Sequence, residues 1–197
     1  MKYLSIDIEA TGLREKDFII EFAAIAFDTN DGKIYDHLSY HTLVQCPSYQ
    51  VIEPQLDDWV KKHNKVLIDD AHNKGKSLID WKNSFEAFLK REDVKQFFGD
   101  EKIVLFGKSM NAIDLPFLSR DLGWDWMREY FSHRTVDFST ICYAFMDLGL
   151  LPKGSERGSF IMKYLGLGQV AHNALDDAKN TALMYLKVLT KNYFLPQ

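Results

Sequence analysis

Cysteine is scarce in this chain: Cys46 and Cys142 are the only two in 197 residues, and no Cys-x-x-Cys pair occurs. That excludes a disulfide framework and a cysteine-built zinc knuckle, and it fits a reducing compartment. Also missing is any uninterrupted apolar run of about 20 residues, the length that spans a bilayer. The apolar N-terminal stretch is broken by Asp7 and Glu9, unlike a secretory h-region. The expectation is a soluble cytoplasmic protein with no membrane partner. Positive charge is not in excess either. The 24 Lys and Arg residues against 28 Asp and Glu give a net charge of -4, which argues against a basic surface that coats long duplexes but leaves room for a short strand held locally. No internal repeat, low-complexity tract or linker divides residues 1–197. A single domain is expected, long enough to bury roughly 70% of its extended surface.

What is present is patterned. From Tyr3 to Glu9, Leu4, Ile6 and Ile8 alternate with Ser5, Asp7 and Glu9, so a strand puts both carboxylates on one side. The runs "DFIIEFAAIAFD" and "KIYDHLSYHTLV" read as two further strands, joined through Asp31-Gly32, a hairpin signal. Together the three form an antiparallel meander. Between Pro47 and Gly99 the spacing becomes helical, in "QLDDWVKKHN", "KVLIDDAHNKG" and "SLIDWKNSFEAFLKRE". A buried strand at "KIVLF", a helix at "DLPFLSRDL", a strand at "RTVDF" and a helix over "STICYAFMDLG" follow. "LPKGSERGS" reads as a mobile loop. The last helix runs from about Asn173 to Leu189, with Ala174, Ala178, Ala182, Tyr185 and Leu189 as its apolar stripe. Strands first, then strand and helix in alternation, indicate an α/β fold: a mixed sheet flanked by helices.

Acidic residues fall where these elements end or begin. Asp7 and Glu9 close the first strand, Asp114 opens the helix after the fourth, and Asp177 lies in the first turns of the final helix. Strand ends are where sites assemble in α/β sheets. Four converging carboxylates repel one another, and divalent cations relieve that repulsion. An oxygen-only donor set suits Mg²⁺ or Mn²⁺ rather than zinc. His172, five positions before Asp177, offers a neutral nitrogen able to take a proton near ordinary pH. Structural readings compete at several positions. Asp114, ahead of Leu115-Pro116, suits a helix N-cap, as does Asp137 ahead of "FSTICYAF". Asp176, adjacent to Asp177, is separated from it only by helix phase. His37, His41, His63, His72 and His133 form no metal-ligand grouping with cysteines.

The segments "DIEATGL", "NAIDLPFL" and "HNALDDAKNT" resemble the three motifs of the DEDDh, or DnaQ-like, 3′-to-5′ exonucleases. The likeness extends from Tyr3 to about Leu189, and it implies a ribonuclease-H-like fold with a five-stranded mixed sheet. It implies catalytic roles for Asp7, Glu9, Asp114, His172 and Asp177, the four acids holding two divalent cations, Mg²⁺ or Mn²⁺, and His172 accepting a proton from the attacking water. The His-x4-Asp spacing selects Asp177 over Asp176. The substrate so implied is single-stranded DNA or RNA with a free 3′-hydroxyl, released as nucleoside 5′-monophosphates. Thr11 and Gly12 would approach the terminal sugar, Leu13 would wedge between the last two bases or serve as plain core, Phe117 would pack beneath the terminal nucleotide or serve as plain core, and Asn111 would hydrogen-bond near it or act as a turn or capping residue. An RNA-specific or short-oligonucleotide enzyme is the alternative within the class. Outside it stands a non-catalytic nucleic-acid-binding or assembly subunit, for which the aromatic-rich "LGWDWMREYF" offers an interface or simple packing. A homodimer or a separate polymerase partner is compatible with the family.

Overall fold

The computed structural model describes residues 1–168 and 173–191. Three antiparallel strands, β1 (Lys2–Ala10), β2 (Ile19–Asp28) and β3 (Lys33–Leu43), come first. Gly32, at φ +68°, makes the β2–β3 turn in the left-handed region that asparagine and glycine tolerate best. Helices α1 (Tyr49–Ile52), α2 (Asp58–His63), α3 (Lys65–Lys74), α4 (Leu78–Leu89) and α5 (Glu92–Phe98) follow. The chain then alternates through β4 (Leu105–Gly107), α6 (Asp114–Leu122), α7 (Trp124–Tyr130), β5 (Val136–Asp137), α8 (Phe138–Asp147), α9 (Gly158–Tyr164) and α10 (Ala174–Lys191). The sheet order is β3-β2-β1-β4-β5, with β4 and β5 parallel to β1. This is the ribonuclease-H-like α/β arrangement.

The alternation in β1 decides what lies on each face. Leu4 and Ile6 enter a core with Phe22, Trp81, Phe85, Leu118 and Trp126, supplied by β2, α4, α6 and α7. On the opposite face, Tyr3 packs with Phe27, Phe106, Phe138 and the α10 residues Ala182, Leu186 and Val188. Asp7 and Glu9 share the Tyr3 face by the two-residue period, so the strand delivers them toward α10. Alanine at 174, 178 and 182 leaves α10 without bulk against the sheet, and all three are fully buried. Close approach is sealed by Ser5, whose Oγ donates to the Ala178 carbonyl at 2.7 Å. β2 is buried along its whole length, Glu21 included.

Some elements differ from expectation. β4 is only three residues long because Ile103 leaves the β1 ladder to bridge Phe131. "LPKGSERGS" is not an open loop: Leu151 and Ser155 are buried, Ser155 Oγ donates to the Pro152 carbonyl at 2.7 Å, and α9 begins inside the segment at Gly158. "LGWDWMREYF" contains α7, which buries Trp126 and Met127. Both cysteines are buried, and desolvation pushes the Cys46 thiol up to about 11 and Cys142 to about 12. Among the described residues, no helix is long and apolar enough to cross a membrane.

Candidate active site

Asp7, Glu9 and Asp177 each place a carboxylate oxygen within 4.8 Å of the others. Two come from one strand face and the third from the first turn of α10, and helix phase separates it from its neighbour. Asn173 fixes that phase. Its Oδ1 accepts the Asp176 backbone N–H at 2.9 Å while its Nδ2 donates to Asp176 Oδ2 at 2.8 Å, a reciprocal N-terminal cap. Asp176 is thereby held outward and exposed, while Asp177 turns inward.

Asp114 is the first residue of α6 rather than its N-cap, a position taken by Ile113. Its buried carboxylate has a different tie: Oδ1 accepts the Ile8 backbone N–H at 3.1 Å. The residue between Asp7 and Glu9 is thus anchored by the second motif. Asp137 is an N-cap as expected, accepting from Ser139 N at 2.9 Å and also from the backbone N–H groups of Ser109 and Asn111.

Electrostatics at this strand end are unfavourable without a cation. Desolvation raises Glu9 to about 7, repulsion from Asp177 and Glu21 adds to it, and a hydrogen bond from Asn64 opposes it. Asp114 also reaches about 7, chiefly through burial, against the lowering effect of backbone hydrogen bonds. Asp7 rises well above the carboxylate range through burial and through the charges of Asp114, Glu9, Asp177 and Glu21. Three convergent hard oxygens that repel one another fit Mg²⁺ or Mn²⁺ in both donor chemistry and charge.

Because these folded-state values exceed the unfolded ones, the protonated acids favour the fold. In EDTA their contribution is fully present below about pH 4 and is lost as pH rises through about 7. Thermal scans should therefore show the metal-free protein losing stability between about pH 5 and 7.5, and Mn²⁺ raising the midpoint far more at pH 8 than at pH 5. A metal increment equal at both pH values would contradict this electrostatic account.

Glu21 was not singled out by the sequence patterns. It pairs with Glu9 in the β1–β2 register, and its Oε1 lies 2.5 Å from His41 Nε2. Oε2 accepts the Ala174 backbone N–H at 3.1 Å, so a buried glutamate satisfies the first turn of the helix that carries Asp177. An acid inside the apolar run "IIEFAAIAF" was the available signal.

Asp7, Glu9 and Asp114 line a cleft of about 400 Å³. Its lining includes Gly12, Leu13, Trp59, Asn64 and Lys108. Leu13 is 74% exposed at the lip, and Trp59, another residue the sequence patterns did not mark, is 50% exposed and stacked on His63. Thr11 is buried and does not line the cleft; its Oγ1 accepts from Phe18 N and its own N–H donates to the Phe18 carbonyl, both at 2.9 Å. At Gly12 the reason for glycine is internal to the protein: φ is +157°, and a Cβ would lie 2.3 Å from Asp17 Oδ2. Asp17 is held by the Arg14 guanidinium and backbone N–H, so it cannot retreat without breaking an ion pair. Gly12→Ala should cost about 1–3 kcal/mol, read by urea unfolding, and an unchanged midpoint would show that the lip accommodates the methyl.

Two other residues lie elsewhere. Phe117 is buried in the main core beneath the Arg120 guanidinium, which sits 4.7 Å from its ring, and does not line the cleft. Asn111 is exposed, accepts from Thr135 Oγ1 at 2.9 Å and lines a neighbouring cavity. His172 lies outside the described residues.

This arrangement has counterparts. A family model described as "Exonuclease" matches residues 4–185. No curated protein matches the sequence. Among solved structures, the nuclease domain of 3′hExo, a DEDDh family member bound to rAMP, is similar at TM-score 0.68 and 19% identity, covering 99% of this chain and 94% of that one. Cell-death related nuclease 4 (CRN-4) gives TM-score 0.68 at 16% identity, with 96% of this chain and 64% of the other covered. E. coli Exonuclease I in complex with a dT13 oligonucleotide gives 0.68 at 16%, with 98% of this chain and 42% of the other covered. A match across nearly all of the sheet and helices that carry the acids assigns the family: this chain belongs to the DEDDh, DnaQ-like exonuclease superfamily.

Proposed function

We propose that the chain is a divalent-metal-dependent 3′-to-5′ exonuclease that hydrolyses single-stranded DNA or RNA from a free 3′-hydroxyl and releases nucleoside 5′-monophosphates. The observation that carries this reading is the convergence of the Asp7, Glu9 and Asp177 oxygens, two of whose residues, Asp7 and Glu9, line a cleft that also presents an exposed leucine. Asp7, Glu9 and Asp177 would hold the cations directly, with Asp114 beside them. Two bound Mg²⁺ or Mn²⁺ ions supply charge stabilisation for the scissile phosphate and lower the pKa of the attacking water.

The remaining work belongs to the chain. His172 takes the proton from the water as the water oxygen bonds to phosphorus, the phosphorus–3′-oxygen bond breaks, and the departing 3′-oxygen takes a proton from solvent to become the shortened strand's new 3′-hydroxyl. Asp114 holds the Ile8 N–H and so keeps Asp7 and Glu9 in register, while Glu21 holds the start of α10. Leu13 and Trp59 give base-independent apolar and stacking contacts. An RNA-specific or short-oligonucleotide enzyme remains the alternative substrate class, since a 2′-hydroxyl contact is what separates RNA from DNA.

The test compares oligonucleotides ending in a 3′-hydroxyl or a 3′-phosphate, as DNA and as RNA, with chromatographic identification of the products. The expected result is nucleoside 5′-monophosphates from hydroxyl-ended strands and a block at the phosphate. Nucleoside 3′-monophosphates, or internal fragments ahead of end trimming, would overturn the reaction assigned. His172→Ala should lose roughly 10²- to 10⁴-fold in single-turnover rate, the scale of a positioned acid–base group, while calorimetry finds Mn²⁺ binding largely retained. Parallel collapse of binding and turnover would make His172 a ligand or a structural support instead.

A further inference from the structure

The first turn of α6 is the wall between the acidic cleft and a second cavity of about 340 Å³. Ile113 and Asp114 line the cleft, whereas Asn111 and Leu115 line the cavity. α7 forms the far side with Trp124 and Arg128. Trp124 is 62% exposed, uncommon for so large an apolar ring, and the Arg128 guanidinium lies 5.2 Å from its centroid. Ser119 and His133 add hydrogen-bonding groups to a lining that, among the described residues, contains no Asp or Glu. The contrast with the adjoining cleft is sharp, since Asp7, Glu9, Asp57 and Asp114 all line that one.

An apolar concavity with an aromatic plane and an arginine, free of carboxylates in a chain of net charge -4, suits a planar base that carries a phosphate. Its position fits the same ligand. A strand whose 3′ end lies at Asp7 crosses the first turn of α6 to enter this cavity, whose lining follows α6 from Leu115 through Ser119 to Trp124 at the start of α7. We propose that this cavity is an upstream subsite for the substrate strand, in which an unpaired nucleobase away from the scissile bond stacks on Trp124 and its phosphate meets Arg128. The inference rests on the nuclease reading above. Stacking is indifferent to base identity, so the subsite adds affinity for strand length rather than for sequence, and it favours substrates long enough to span both cavities.

The test uses wild type, Trp124→Ala, Trp124→Phe and Arg128→Ala with two thymidine-only probes, a fluorescently labelled octamer and a dinucleotide. Equilibrium binding is measured by anisotropy in Ca²⁺ at fixed ionic strength. Hydrolysis in Mn²⁺ is measured on the octamer and on the p-nitrophenyl ester of thymidine 5′-monophosphate, which is too short to reach Trp124. Trp124→Ala should weaken octamer binding about 5- to 100-fold, the range for loss of one stacked base. It should lower the ratio of octamer to ester kcat/KM by a similar factor, while Trp124→Phe restores most of both. Arg128→Ala should weaken octamer binding and flatten its salt dependence. Equal octamer affinity in wild type and Trp124→Ala overturns the subsite, as does equal loss on octamer and dinucleotide. A change in molecular mass by light scattering with unchanged octamer affinity also overturns it, by making Trp124 a contact between copies of the chain. If wild type cleaves neither substrate in Mn²⁺, the nuclease reading fails, while the anisotropy series still decides the subsite.

Discussion

Asp7→Asn should lower single-turnover cleavage by on the order of 10³-fold or more and, in EDTA at pH 8, raise the melting temperature. Both effects have one origin. Asp7 feels burial and the charges of Asp114, Glu9, Asp177 and Glu21, which together disfavour its ionised carboxylate. In the working enzyme that charge holds cations. In the metal-free protein that charge is repelled by the neighbouring acids, against the attraction of the Lys108 ammonium, and an isosteric amide removes the repulsion without opening a cavity. Chromatographic rate measurement and a thermal scan on the same preparation check the pair. Lower activity with lower metal-free stability would point to a structural role for Asp7, and retained activity would remove it from the site.

Asp177→Asn should cost at least about 10²-fold in turnover, with a matching loss of Mn²⁺ affinity, whereas Asp176→Asn should stay within about threefold of wild type. Consecutive helical side chains diverge by about 100°, and the Asn173 cap spends Asp176 on the helix end. Calorimetric Mn²⁺ titration of both variants beside their rates checks this. Equal losses would mean that α10 is rotated relative to the phase described, or that both acids bind.

That distinction marks how far the sequence reaches. β1 follows from alternation, β2 and β3 from strand-forming runs joined by a hairpin signal, and α6 falls on "DLPFLSRDL". Asp7, Glu9 and Asp177 meet because periods of 2.0 and 3.6 put them on facing sides of β1 and α10. Residues whose role depends on which element covers them were less legible. Phe117 has the right spacing from Asp114 to lie under a nucleotide, yet the tilt of α6 sends it into the core against Leu118 and Trp126. Asn111 follows β4 away from the cleft because its backbone is drawn to Asp137, 26 positions later. Glu21 reads as one more residue of an apolar strand, and its partners, the His41 ring and the Ala174 N–H of α10, come from elements far along the chain. Trp59 carries no marked role in its helical run, and Trp124 lies in "LGWDWMREYF", which reads as an interface or simple packing, since a one-dimensional pattern does not tell an exposed aromatic facing bulk water from one beside a cavity.

The measurement closest to the central claim is a time course on a 5′-labelled single-stranded oligonucleotide, in Mn²⁺ and in EDTA, for wild type and Asp177→Asn. Acids that repel one another at the base of the cleft are read here as a metal-dependent cutter of 3′ ends. Wild type in Mn²⁺ should give a descending ladder that loses one nucleotide at a time from the 3′ end, and EDTA or Asp177→Asn should leave the full-length band. A ladder that persists in EDTA, or wild-type protein that binds the strand in Mn²⁺ without shortening it, would contradict the account.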